Sequence, residues 1–169
     1  MDKISVAIRG SQVFVPTKKL TLPFELCPLN LIIINGPNLN LLGKREPGVY
    51  GDRSFEEYLS NLRIEFPGIS MDYYQSNVEG DLINKIQEAG FEKDGIIINP
   101  GGYSHTSVAI ADAMRAVPAK IIEVHISNVF SREEFRTKLI TVASADGFIS
   151  GLGMDVYRLA IMGLLQDQV

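Results

Sequence analysis

The chain has 169 residues, 46% of them hydrophobic and 21% charged, with a formal net charge of -4. That length suits one domain with a sizeable core. The mild negative balance gives no general attraction for nucleic acid or an anionic membrane surface. The single cysteine, Cys27, excludes a disulfide framework and any CxxC metal or redox motif, in keeping with a reducing cytosol. No apolar run approaches the ~18 residues a membrane span needs, and Arg9 interrupts the one apolar stretch near the start, Ile4 to Ile8, so a signal peptide is not expected.

Residues 1–28 stand apart as an N-terminal extension. Ile4 to Val15 reads either as an extra hairpin around Gly10-Ser11 or as a loose arm, and a role outside catalysis is expected for it. From residue 29 to residue 169 the pattern predicts one α/β domain in which a strand and a helix alternate five times. Leu31–Ile34 is a short continuous apolar run, the signature of a strand buried on both faces of a parallel sheet. Ser54 followed by Glu57 has capping-box spacing and opens a helix. Ile69–Gln75 is the second strand, and a helix near Asp81–Ala89 follows with Gly90 as its C′ residue. Gly95–Ile98 is the third strand. Thr106 or Ser107 caps the next helix, which ends before Pro118. Lys120–Ile126 is the fourth strand. Ser131 and Glu134 repeat the capping-box spacing and predict another helix. Phe148-Ile149 marks the fifth strand, and Met154–Leu165 the last helix.

Alternation of this kind implies right-handed crossovers and a doubly wound parallel sheet, with ligands beyond the carboxyl ends of the strands. Five polar groups fall at that edge or close to it. Asn35-Gly36-Pro37-Asn38 is either a plain turn or a source of amides for a ligand oxygen or a water. The loop Gly43–Gly51 is long, rich in glycine, and carries Lys44, Arg45 and Tyr50; it is either a solvated loop or a lid. A tyrosine titrates near pH 10 and is a poor base at neutrality, but nearby guanidinium charge favours the phenolate. Bringing that titration down by about 3 pH units takes roughly 4 kcal/mol, which a desolvated lid facing two arginines can supply and an open loop cannot. Asn99–Ser107 joins a Gly-Gly turn to a helix start and contains His105, either a capping or buried polar group or a ligand contact. Glu123, His125 and Ser127 alternate along a strand and so share a face. A carboxylate beside an imidazole fixes its tautomer and favours the protonated acid. Arg132 and Arg136, four apart, would share a helix face and could clamp a carboxylate. Two histidines and one remote cysteine make a zinc site unexpected.

Taken together, the segments NGPNLNLLGKREPGVYG from Asn35, NPGGYSHTSVAIADA from Asn99, IEVHISN from Ile122, SREEFR from Ser131 and GLGMDVYRLA from Gly151 resemble the type II 3-dehydroquinate dehydratases. The resemblance runs from Leu31 to the C-terminus, in the family's order and spacing. It implies a flavodoxin-like fold with strand order 2-1-3-4-5, and a homododecamer assembled from trimers. It also implies a cytoplasmic, cofactor-free lyase that converts 3-dehydroquinate to 3-dehydroshikimate in the shikimate pathway of chorismate and aromatic amino-acid biosynthesis. By that resemblance Tyr50 is the base, and Arg45 closes over the substrate and, with Arg132, stabilises the phenolate. Asn38 holds a water near the forming enolate, and His125, oriented by Glu123, protonates the departing hydroxyl. Asn99, His105, Ser127, Arg136 and the backbone N–H groups of Ile126 and Ser127 bind the substrate's carboxylate and hydroxyls, and Asp112 reaches a neighbouring subunit's site. Two departures stand out: the segment before Leu31 is longer than the family's usual start, and Thr137–Thr141 lacks the His-Ser pattern common after the arginine helix. The alternatives are a non-catalytic flavodoxin-like module that binds a cyclic carboxylate, and a flavin electron carrier. The second would carry a Ser/Thr-rich phosphate loop where this chain has NGPNLN.

Overall fold

A computed structural model describes the backbone of residues 3–8 and 11–16, and residues 29–43 and 54–166 in full. The first two segments are β1 (Lys3–Ile8) and β2 (Ser11–Pro16), paired antiparallel with Ile8 opposite Ser11, which is the hairpin alternative of the two readings.

The rest builds on five parallel strands: β3 (Leu29–Asn35), β4 (Ile69–Gln75), β5 (Gly95–Asn99), β6 (Lys120–His125) and β7 (Gly147–Ser150). Their order across the sheet is β4-β3-β5-β6-β7, which is 2-1-3-4-5 when counted from β3. The isoleucine-rich strands β3 and β5 lie inside the sheet, and their alternation divides the core in two. Leu31, Ile33, Ile97 and Val124 face a layer made by α1 (Phe55–Glu65) and α4 (Asp155–Gln166), which contributes Phe55, Leu59, Leu62, Tyr157 and Ile161. Ile32, Ile34, Ile96, Ile98 and Ile121 face the opposite layer, made by α2 (Glu79–Glu92) and α3 (Val108–Arg115) with Leu82, Ile86, Ile110 and Met114. Period-2 strands between period-3.6 helices bury both faces at once, which is why these strands read as unbroken apolar runs.

Helix starts follow the side chains that cap them. Ser54 accepts the Glu57 N–H at 3.2 Å while the Glu57 carboxylate accepts the Ser54 N–H at 3.2 Å, closing the capping box. Ser107, rather than Thr106, caps α3 by accepting from Ile110 N at 2.9 Å.

Two expectations need correction. Gly90 is not the C′ residue of α2, because the helix runs on to Glu92 and Gly90 lies within it. A Cβ there would stand 2.3 Å from the Val117 Cβ, so the glycine serves close packing against the connection into β6. The helix expected from Ser131 does not form either. The segment folds into short 3-10 turns at Val129–Ser131, Glu134–Thr137 and Val142–Ser144. Asn128, not Ser131, receives the capping N–H, from Phe130 at 3.1 Å, and Glu133 gives no side-chain cap to the second turn. As a result, among the described residues, the β–α alternation holds for four helices rather than five, and β6 reaches β7 through this strap of short 3-10 turns. The strap is fastened instead by tertiary bonds, from Ile140 N to Ser104 O at 2.7 Å and from Asp146 N to Ile121 O at 2.8 Å.

Candidate active site

The chain leaves β3 toward β4 on one side and returns to β5 on the other, so β3 and β5 flank the point where the winding reverses. Polar residues gather there because the carboxyl ends of adjacent strands splay apart and open a crevice. Asn35 lies opposite Asn99 in the β3–β5 register, and the Gly36 N–H donates to Asn99 O at 2.8 Å. A Cβ on Gly36 would meet Pro100 O at 2.5 Å, so only glycine lets these two turns lie so close. Beyond them Asn38 adopts φ 67°, a left-handed conformation that asparagine tolerates, and its N–H donates to Asn77 Oδ1 at 3.0 Å.

A cavity of about 300 Å³ opens over these strand ends. Asn38, Asn99, His105, His125, Ile126, Ser127, Arg132 and Arg136 all line it. Of the expected site residues, eight border the cavity, and Glu123 is hydrogen-bonded to one of them, His125. Arg132 and Arg136 reach the cavity from the strap, not from a common helix face. Asp112 does not border it; it pairs with Arg115 on α3, which in turn donates to Ser144 Oγ at 2.6 Å. Tyr50 and Arg45 lie outside the described residues.

The most constrained element is the pair on β6. Glu123 is fully buried and its Oε1 lies 2.8 Å from His125 Nε2, itself only 8% exposed at the side chain. A buried carboxylate needs a partner, and the imidazole provides it. An ionised carboxylate only accepts, so Nε2 carries the proton and Nδ1 is the nitrogen left for a ligand. The Phe148 ring, 5.7 Å away centroid to centroid, packs against the imidazole and limits its rotation. His105 is arranged differently. Its Nδ1 donates to Lys138 O at 3.0 Å, leaving Nε2 as an acceptor. Burial holds this imidazole below its usual range, and the neighbouring His125 and Arg136 press in the same direction. The two histidines, 6.4 Å apart, thus offer different chemistry: one backed by a carboxylate and suited to carry a proton, the other held neutral and suited to accept a hydroxyl.

Glu133 stands between the two arginines, 2.8 Å from Arg136 Nε and 3.7 Å from Arg132 Nε. Its own backbone N–H, then the Arg136 guanidinium, hold its carboxyl below the ordinary range. Arg136 also lies over the Phe135 ring at 5.0 Å. Arg132 Nη1 reaches Ser127 Oγ at 3.5 Å.

Sequence reasoning passed over the support behind Asn99. Tyr157 on α4 is wholly buried and donates its hydroxyl proton to Asn35 Oδ1 at 2.8 Å while accepting from Asn99 Nδ2 at 3.2 Å. Its position in an apolar helix pattern marks it as core; the one available signal is that a buried tyrosine hydroxyl needs a polar partner.

The Dehydroquinase class II family model matches residues 29–165. A 3-dehydroquinate dehydratase from Aliarcobacter butzleri is 46% identical over 140 residues, covering 82% of this chain and 85% of the relative. One from Clostridium botulinum is 45% identical over 142 residues, covering 83% and 97%. The crystal structure of a type II dehydroquinase from Butyrivibrio crossotus superposes with a TM-score of 0.76 at 49% identity, over 82% of this chain and 98% of that one. With the flavodoxin-like strand order, the crevice at its switch point and matches of this extent, the chain belongs to the class II dehydroquinase family.

Proposed function

We propose that this chain dehydrates 3-dehydroquinate to 3-dehydroshikimate by a stepwise anti elimination, with its own side chains supplying every proton transfer. The reaction class follows from the family; the roles of individual residues rest on the pocket. Tyr50 as phenolate removes a proton from the carbon beside the ketone. The electron pair moves onto the carbonyl oxygen as an enolate, steadied by a water that Asn38 holds. His125, in its imidazolium form with the Nε2 proton held by Glu123, then gives its Nδ1 proton to the departing hydroxyl and returns to the neutral ring; the hydroxyl leaves as water while the enolate collapses to the conjugated enone. Arg45 and Arg132 keep Tyr50 ionised. Asn99, His105, Ser127, Arg136 and the backbone N–H groups of Ile126 and Ser127 hold the substrate's carboxylate and hydroxyls. No metal or organic cofactor enters this scheme.

The observation that carries the reading is the buried Glu123–His125 pair, 2.8 Å apart, opening onto a cavity bordered by two guanidinium groups. Glu123 keeps the proton on Nε2, which frees Nδ1 to act as the acid. The neutral His105 leaves an acceptor for a hydroxyl, and the arginines suit an anionic substrate.

The catalytic domain is residues 29–169, with residues 1–28 as an extension outside the chemistry. The enzyme works in the cytoplasm as a dodecamer built from four trimers, in which Asp112 serves a neighbour's site. Its exposed position on α3, away from the cavity of its own subunit, supports that assignment. No helix among the described residues is long and apolar enough to cross a membrane.

The test is ultraviolet detection of enone formation from 3-dehydroquinate, with a chelator present, by wild type and Tyr50→Phe. Turnover that collapses in a variant still able to bind substrate supports the scheme. A folded wild type without turnover would overturn the enzyme assignment and favour a carboxylate-binding module. Full activity in Tyr50→Phe would keep the reaction but remove Tyr50 as its base.

A further inference from the structure

Asn99 is 3% exposed, and its amide is held from two sides. Its Oδ1 accepts the Gly101 N–H at 3.1 Å. Its Nδ2 donates to the Tyr157 hydroxyl at 3.2 Å, and that hydroxyl spends its only proton on Asn35 Oδ1 at 2.8 Å. Tyr157 is therefore a pure acceptor toward Asn99, and the amide cannot exchange its two ends without setting acceptor against acceptor on one side and donor against donor on the other. Burial pushes the Tyr157 phenol well above its usual range, so the hydroxyl keeps its proton and the arrangement does not change with pH in the working range. One proton of Asn99 Nδ2 remains without a partner among the described residues, and Asn99 borders the cavity.

We propose that Tyr157, buried and outside the cavity lining, is a positioning residue. By locking the Asn99 amide it makes the site present a hydrogen-bond donor at that point, matched to a ligand oxygen that accepts. The proposal rests on the assignment of Asn99 to substrate binding. It adds a residue that the family resemblance did not bring forward, reaching the site from α4, 58 residues along the chain from Asn99. The same hydroxyl ties β3 to β5 through Asn35 and Asn99, so the switch point and the ligand-facing amide are set by one group.

The experiment is a double-mutant cycle read as kcat/KM for dehydration, with Tyr157→Phe, Asn99→Ala and the combination. Tyr157→Phe alone is expected to lower kcat/KM about tenfold, the scale of one oriented hydrogen bond. In the Asn99→Ala background it is expected to change nothing further, because the group it orients is gone. Ile161→Val, which loosens the same buried helix face one turn away and removes no polar group, is expected to leave kcat/KM at the wild-type value. Independent losses that multiply in the double variant would overturn the proposal, as would an equal loss in Ile161→Val. Wild-type activity in Asn99→Ala would instead overturn the assignment of Asn99 itself, and the proposal with it. If Tyr157→Phe does not fold, Asn35→Ala takes its place. That change leaves the hydroxyl proton free to turn on Asn99 and is expected to lower kcat/KM through Asn99 alone; an unchanged value would overturn the proposal.

Discussion

Replacing Glu123 by glutamine separates charge from orientation at the acid. Gln keeps the length of Glu and can still accept the His125 Nε2 proton, so the ring stays in the same tautomer. What disappears is the negative charge 2.8 Å from the imidazole, at a position with no solvent exposure. A charge-assisted hydrogen bond is worth about 1.5–3 kcal/mol and a neutral one about 0.5–1.5, so the imidazolium that must form before the hydroxyl departs loses the difference, about 1–1.5 kcal/mol. The expected result is a kcat lower by roughly 5- to 13-fold with KM little changed. The assay is enone absorbance under saturating 3-dehydroquinate, with circular dichroism to show that the variant is folded. A folded Glu123→Gln variant whose kcat lies within about threefold of wild type would refute the argument that His125 depends on this carboxylate to carry its proton.

Gly90→Ala is expected to destabilise by about 1–3 kcal/mol in urea unfolding, despite the helix propensity of alanine, because the new methyl would lie 2.3 Å from Val117 Cβ. Ser107→Ala removes the side-chain N-cap of α3 and is expected to cost about 1 kcal/mol by the same measurement. His105 is held neutral in the fold, whereas in the unfolded chain it takes up a proton near pH 6.5. The unfolded state therefore binds more protons below about pH 6.5, and the contribution of this group, fully present above that value, is lost as pH falls. Urea midpoints compared at neutral and acid pH are expected to fall less in His105→Gln than in wild type; an equal fall would show that His105 is not responsible.

Much of the architecture was legible because it rests on local rules. The run Leu31–Ile34 had to be a doubly buried strand, and Ser54 with Glu57 had to start a helix, since each signal is carried by residues a few positions apart. The clustering of Asn38, Asn99, His105 and His125 at one edge followed from the direction of the strands alone. Where the reading failed, tertiary contacts had outweighed local pattern. Gly90 reads as a helix terminator until Val117 is seen to occupy the space where a side chain would go. Ser131 and Glu134 have the spacing of a capping box, but the chain there is tied to Ser104 and Ile121, and those bonds favour short turns. Strand order came from the family resemblance, and the link from Tyr157 to Asn35 spans 122 residues, beyond any periodicity.

The strap between β6 and β7 carries two cavity arginines yet contributes little to the layers that hold the sheet together. It is anchored at discrete points, where Lys138 O meets His105 Nδ1 and where Ile140 N meets Ser104 O, rather than by a helix docked along its length. Such a segment behaves as an exchangeable cassette. Its length and charge can be altered between fixed attachment points, moving the cations over the crevice while the strands below keep their register. For protein engineering this separates the choice of anion from the stability of the scaffold, and substitutions from Arg132 to Arg136 are the natural place to begin recasting which acids the crevice admits.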